Sequence, residues 1–241
     1  MTDTAHYNPH GQSLLDYLRG DTSAIITVHS AGGLKTDVPV GLFFRAPAQF
    51  PLEQQALELC RGRVLDIGAG AGSHALALQA RGLAVVALDF LPECVTVMRE
   101  RGVREALEAD IHTFAAAPFD TLLSLMNGLA IVPDLAGLQP FLRSLRRLLK
   151  PGGQFLVDSA DLRRTGRAQS AAMITAAERA GRYFGEAELQ LEYKGRRGTP
   201  FTQLYVDADT LAAHAQAAGW TCEIITQEEN GRYLARLMVK A

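Results

Sequence analysis

The sequence predicts an α/β fold, doubly wound around a mostly parallel sheet, and three observations carry that expectation. Between residues 61 and 158, short apolar β-branched runs alternate with helical stretches at the spacing of strand–helix–strand units. The first of these runs delivers the chain into a glycine cluster that opens a helix. The chain of 241 residues, 48% of them hydrophobic, is long enough for one large α/β domain with an appended segment.

Taken in order, Leu14 to Leu18 is apolar enough for a short helix, and Ala24 to Val28 has the β-branched character of a strand. Pro39, Pro47 and Pro51 then punctuate the chain before a helix over Leu52 to Cys60. Arg63 to Ile67 is an apolar strand, Ser73 to Gln79 a helix stopped by Gly82, and Ala84 to Leu88 a second strand ending in Asp89. Pro92 suits the first turn of a helix that runs to about Arg101. A weaker strand near Ala106 to Ala109 ends at Asp110, and Thr121 to Leu125 is another strand. A helix over Leu138 to Leu149, a sharp Pro151-Gly152-Gly153 turn and a strand at Gln154 to Val157 close the alternating region.

The remainder begins with a helix at Ala171 to Ala180. Ala187 to Tyr193 and Phe201 to Val206 then read as a β-hairpin around Lys194-Gly195-Arg196-Arg197-Gly198. A helix near Thr210 to Ala218 precedes two strands, Thr221 to Thr226 and Tyr233 to Val239, joined by a tight antiparallel connection. These breaks divide the chain into an N-terminal cap segment, residues 1–60, and a main domain, residues 61–241, with an insertion at about 160–206.

Composition narrows the function classes. A formal net charge of −2 offers no electrostatic footprint for nucleic acid. Three widely separated cysteines form no CxxC pair or Cys/His cluster, so no metal site is expected and unpaired thiols fit a reducing cytoplasm. Met1 to Gln12 lacks the basic patch and apolar run of a signal peptide. No apolar stretch approaches the roughly 20 residues of a membrane-spanning helix.

The strongest chemical signal is Val64-Leu65-Asp66-Ile67-Gly68-Ala69-Gly70-Ala71-Gly72-Ser73. Glycine lets backbone approach a ligand closely, and the helix start supplies free N–H groups. A dinucleotide turn has the form GxGxxG, whereas here Gly68, Gly70 and Gly72 alternate and position 73 is Ser. Asp66 also stands where a dinucleotide-binding strand usually continues apolar, and its carboxylate suits an ammonium better than a pyrophosphate.

This DxGxGxG pattern resembles the first motif of the class I S-adenosylmethionine-dependent methyltransferases. The likeness extends over about Arg61 to Asp158, and the closing strand pair fits the family's last strands. It implies a Rossmann-like sheet of seven strands, mostly parallel with an antiparallel last strand, S-adenosylmethionine as cofactor, and methyl transfer to a small-molecule substrate. Asp66, Gly68, Ala69, Gly70 and Gly72 would then cradle the methionine part. Asp89 and Phe90 would hold the ribose, Asp110 and Ile111 the adenine, and Met126 would border the reacting centre. An acid at Asp89 serves NAD enzymes equally, and Asp110 equally suits a helix cap.

On the acceptor side the sequence supplies Tyr7, His10, His29, Arg45 and Asn127, without singling out a catalytic base. Arg45 either reaches the donor's carboxylate or is an exposed arginine; His74 either contacts the methionine part or packs. The hairpin aromatics, Tyr183, Phe184, Tyr193, Phe201 and Tyr205, suit a lid, a homodimer interface or a satellite core. Residues 125–128 are not the Asn/Asp-Pro-Pro-aromatic signature of nucleic-acid base methyltransferases. Two alternatives stay open, a methyltransferase-like binding protein without turnover and a nucleotide-cofactor oxidoreductase.

Overall fold

The structure, a computed structural model, describes residues 5–240; the first residues of the polar N-terminal stretch lie outside them. Helix α1 (Asn8–Leu18) begins six residues before the apolar run that predicted it, because Pro9 is tolerated in a first helical turn. Strands β1 (Ile25–Ser30) and β2 (Lys35–Pro39) pair antiparallel. β2 escaped the sequence reading because it is a polar, mostly exposed edge strand. Helix α2 (Pro51–Leu59) leads into the alternating region.

There the chain forms β3 (Arg63–Ile67), α3 (Ser73–Ala80), β4 (Ala84–Asp89), α4 (Pro92–Glu100), β5 (Ala106–Glu108) and β6 (Phe119–Ser124). Helix α5 (Leu135–Leu145) starts at Asp134, whose side chain accepts from the Gly137 N–H. β7 runs over Leu149–Ala160, much longer than expected. The Pro151-Gly152-Gly153 turn is absorbed into it as an irregularity: β6 advances from Phe119 to Thr121 while β7 advances from Leu149 to Gln154. Helix α6 (Ala168–Arg179), strands β8 (Glu186–Tyr193), β9 (Arg196–Arg197) and β10 (Phe201–Leu204), helix α7 (Ala208–Ala217), and strands β11 (Trp220–Gln227) and β12 (Arg232–Val239) complete the described chain.

Seven strands form the main sheet in the order β11-β12-β7-β6-β3-β4-β5. Neighbours from β7 to β5 are parallel, and β12 is antiparallel to both β7 and β11. Successive residues of β3 face opposite cores. Leu65 and Ile67 meet α5 and α7, whereas Val64 meets α2, α3 and α4. Burial on both faces explains why these strands read as continuous apolar runs.

A second, antiparallel sheet has the order β10-β8-β1-β2, with β9 added to β8. The expected hairpin is therefore present, but β1 from the N-terminal segment pairs directly with β8 from the insertion. α1 packs with α4 and Tyr193 beside this sheet, while Met173 and Ile174 of α6 pack with Leu189 and Phe201.

The first-face core is anchored by Trp220, which is fully buried and donates its indole N–H to the Leu142 carbonyl at 3.0 Å. Trp220→Ala removes the largest buried side chain of β11 and leaves a cavity, so denaturant unfolding should register a loss of about 3–5 kcal/mol.

Candidate active site

The site grows from the carboxyl ends of the parallel strands, where β3 gives way to the glycine turn. Gly68, Gly70 and Gly72 all have positive φ, at 69°, 54° and 78°. The Gly68 and Ala69 N–H groups donate to the Leu88 carbonyl at 2.9 and 3.0 Å, folding the turn against the end of β4. Among the described residues beyond its chain neighbours, a side chain at Gly70 would meet no atom within 4 Å, and one at Gly68 only Ile131 at 3.7 Å. The turn thus leaves room for a ligand against its backbone. Gly72 differs: a Cβ there would sit 2.8 Å from Val103 and 3.0 Å from Met98, and the residue does not line the cavity. Its expected ligand role is corrected to helix packing.

Above the strand ends lies a cavity of about 570 Å³, within the range of small-ligand sites. Asp66, Gly68, Ala69, Gly70, Asp89, Phe90, Asp110, Ile111, Met126 and Asn127 all line it. The opposite wall consists of His6, Tyr7 and His10, Phe43, and Leu191 with Phe201 to Gln203 of the second sheet.

The carboxylates differ in their surroundings. Asp66 is 1% exposed; the Ala75 backbone N–H donates to it, and its Oδ2 has no partner among the described residues. Burial pushes its pKa up to about 6, against the pull of His74. Asp89 accepts from the Leu91 N–H at 3.0 Å and the Gly70 N–H at 2.9 Å, and burial outweighs these bonds and raises its pKa. Asp110 accepts from the His112 N–H at 2.9 Å, an Asx turn on a residue that also faces the cavity.

At the end of β6, Met126 and Asn127 both adopt left-handed backbone, φ 65° and 66°. This conformation costs a residue with a side chain roughly 1–2 kcal/mol. Asn127 is fixed by Ser159, which donates to its Oδ1 at 3.0 Å, and by its own Nδ2 donating to Leu204 at 3.3 Å. The next N–H, of Gly128, donates to Asp158 at 3.0 Å. Burial pushes Asp158 up to about 6.

The acceptor-side expectations fare unevenly. Tyr7 lines the cavity, packs by its edge on Phe90 and lies 4.7 Å from the Phe201 ring; burial raises its phenol to about 12. His10 lines it too, edge-on to Phe43, and burial lowers its pKa to about 4. His29 does not: its Nε2 lies 2.8 Å from Glu192, on the second sheet beside Arg197. Strand alternation turned it outward. Arg45 stands behind the wall rather than in it. Its guanidinium binds Glu53, donates to Leu42 O at 2.8 Å, stacks on Phe50 and lies 3.5 Å from the Met126 sulfur.

Glu53 was missed altogether. It is fully buried, binding Arg45 with one oxygen and His74 Nε2 with the other at 2.9 Å. A signal existed: Glu53, Ala56, Leu57 and Cys60 share the i, i+3, i+4, i+7 stripe that α2 buries. Among the described residues no cluster suits a metal ion and no helix is long and apolar enough to cross a membrane.

A glycine turn flanked by strand-end carboxylates, under a seven-stranded sheet with one reversed strand, is the architecture expected of a methyltransferase. Comparison with known proteins agrees: residues 65–157 match the family model described as a methyltransferase domain. The chain belongs to the S-adenosylmethionine-dependent methyltransferases. It is 32% identical over 191 residues to a ubiquinone biosynthesis O-methyltransferase of Xanthomonas euvesicatoria, covering 75% of this chain and 71% of the relative. A protein of the same name from Xylella fastidiosa is 32% identical over 121 residues, 47% of this chain. The chain spans about half the length (48%) of that and similar curated relatives. A solved S-adenosylmethionine-dependent methyltransferase from Bacteroides fragilis, in complex with S-adenosyl-L-homocysteine, superposes with a TM-score of 0.85 at 36% identity. The match covers 98% of this chain and 97% of that one.

The two glycines should respond differently to alanine. Gly70→Ala carries only the left-handed backbone cost of about 1–2 kcal/mol, whereas Gly72→Ala adds overpacking of about 1–3 kcal/mol against Val103 and Met98. Denaturant midpoints of the two variants measure the difference.

Proposed function

We propose that this protein transfers a methyl group from S-adenosylmethionine to the hydroxyl of a small molecule. The observation that carries the donor assignment is Asp66 Oδ2, a buried carboxylate oxygen without a partner among the described residues, beside an open glycine turn. A buried anionic acceptor favours a cationic ligand group and disfavours a diphosphate, which argues against the nucleotide-cofactor alternative. When bound, the donor supplies a methyl carbon made electrophilic by its sulfonium.

The chain's own residues then have distinct tasks. Asp66 holds the α-ammonium, with Gly68, Ala69 and Gly70 allowing close approach of backbone. Asp89, oriented by the backbone N–H groups of Gly70, Leu91 and Phe90, is the acid placed to meet a ribose hydroxyl. Phe90 lies beside the sugar, and Asp110 with the Ile111 N–H meets the adenine edge. Met126 and Asn127 border the acceptor, held on a rigid bend so that reactants are aligned; such orientation is worth on the order of 7–11 kcal/mol. Tyr7, His10 and Phe43 close the opening against water.

The hydroxyl acceptor is supported by the O-methyltransferase names of the curated relatives, and its small size by the enclosed, aromatic-rich wall of Tyr7, Phe43, Phe90 and Phe201. We take residues 1–60 and the insertion at about 160–206 to act together as the cap over the acceptor. The hairpin aromatics favour that role over a homodimer contact, since Tyr193, Phe201 and Tyr205 pack within the chain. Unpaired Cys60, Cys94 and Cys222 fit a cytoplasmic setting.

Calorimetry should detect binding of S-adenosylmethionine and S-adenosylhomocysteine but not NAD; the reverse pattern overturns the assignment. Asp89→Ala should weaken both by about 1.5–3 kcal/mol, the worth of hydrogen bonds to a charged group. Incubation with labelled donor and hydroxyl-bearing metabolites should label a small-molecule product.

A further inference from the structure

The wall facing the strand ends carries an uncommitted polar group. Tyr7 and His10 stand three residues apart at the start of α1, so their side chains share one face, and both line the cavity. Gly11 brings that face into place: a Cβ there would lie 3.0 Å from Glu93 of α4, and its absence lets α1 settle closely on α4. The His10 backbone is fixed by its N–H donating to Tyr7 O at 2.9 Å and by Ser13 Oγ donating to its carbonyl at 2.7 Å. Its ring lies edge-on to Phe43, with 4.8 Å between centroids. Neither ring nitrogen has a hydrogen-bond partner among the described residues, and the residue is half-buried rather than sealed.

A second observation is what the wall lacks. Among the described residues that line the cavity there is no lysine, arginine or glutamate, and the three aspartates, Asp66, Asp89 and Asp110, all stand on the strand-end half. On the facing side, burial lowers the His10 pKa to about 4, and burial together with Asp89 raises that of Tyr7 to about 12. Both are therefore uncharged near pH 7. Of the charged groups on α1 and the elements packed on it, Asp16 is taken by Lys194 and the Tyr193 hydroxyl, Glu93 of α4 packs on Gly11, and Asp89 of β4 acts on Tyr7. Burial alone sets the direction at His10. The Phe43, Phe90 and Phe201 rings surround the pair.

We propose that His10 accepts a hydrogen bond from the acceptor's hydroxyl, and that the wall around it admits an uncharged alcohol or phenol and turns away amines and carboxylic acids. This selectivity rests on the reading of the cavity as a site for a methyl donor and a hydroxyl acceptor.

A neutral imidazole offers one lone pair and one N–H. A hydroxyl bound through its proton to that lone pair keeps both lone pairs of its own oxygen unengaged. The contact with Phe43 holds the ring in one orientation, so the bond also fixes where the oxygen lies. An ammonium or carboxylate brought against the same wall would lose its water without gaining a counter-charge, which is costly.

The test uses four probes built on one ring: phenol, its methyl ether anisole, benzoate, and benzylamine, which is a cation at pH 7. Each is titrated by NMR at pH 7 into protein saturated with S-adenosylhomocysteine, using wild type, His10→Leu and His10→Gln. Thermal melts report the fold, and ring nitrogen signals report His10. Phenol should bind wild type roughly two- to tenfold more tightly than anisole, the worth of one hydrogen bond, and roughly tenfold more tightly than either charged probe. Phenol, and not anisole, should move the His10 ring signals. The preference for phenol over anisole should vanish in His10→Leu and survive in His10→Gln, whose amide still accepts. Being a ratio within one variant, it is not imitated by a general loosening of the wall. If His10→Leu does not fold, the wild-type ring signals decide. An unchanged preference in folded His10→Leu, ring signals unmoved by phenol, tighter binding of a charged probe, or no binding of phenol overturns the proposal. Failure of wild type to bind S-adenosylhomocysteine sinks the donor reading itself; binding of that ligand without phenol sinks only the role of His10.

Discussion

The geometry of the site depends on one short connection, the pair of hydrogen bonds from Gly68 and Ala69 N–H to the Leu88 carbonyl. It bends the chain leaving β3 over the end of β4, and positive φ at Gly68 and Gly70 makes that bend accessible. From this bend, Gly70 reaches Asp89, α3 starts three residues later, and Ala75 returns to Asp66. Two carboxylates on adjacent strands are thereby held at fixed positions by backbone rather than by flexible side chains. Their burial is costly in isolation, and the surrounding N–H groups offset part of that cost.

Much of the main sheet was legible because its information is local. Apolar runs, the Gly82 stop and Pro92 each mark a boundary within one or two residues, and β3 falls at the expected residues Arg63 to Ile67. The glycine turn and the acids were legible for the same reason: Asp66 lies near the end of a recognisable strand, Asp89 closes one, and Asp110 follows one. Longer reach defeated the reading elsewhere. His29 follows a β-branched run as a site residue would, but the alternation of β1 and its pairing with β8 direct it to Glu192. Gly72 looks like its two neighbours in sequence, and only the approach of Val103 and Met98 distinguishes it. Glu53 lay within a readable helical stripe, yet an acid on an apolar face makes sense only once Arg45 and His74 are brought to it.

The second sheet has the same origin in distant pairing. His29 and Glu192 are 163 residues apart in the chain, and nothing near either predicts their contact. Through this sheet the N-terminal segment and the insertion reach the cavity together, with Tyr7 against Phe201 and Phe90. The wall facing the strand ends is therefore built from two remote stretches, while the strand-end side comes from one continuous region. This division explains why the strand-end half of the cavity is recognisable from a short motif and the facing half is not.

The position of β12 has a consequence for how the molecule is made. It is the last strand of the sheet to leave a ribosome, yet it lies between β7 and β11. A nascent chain that has emitted everything up to β11 cannot join that strand to the rest, and Trp220 waits with it. Arg232, the partner of Asp158, also arrives only with β12. Synthesis proceeds from the N-terminus at about 5–20 residues per second. Closure of the sheet and the arrival of a counter-ion beside Asp158 therefore both depend on the same late strand.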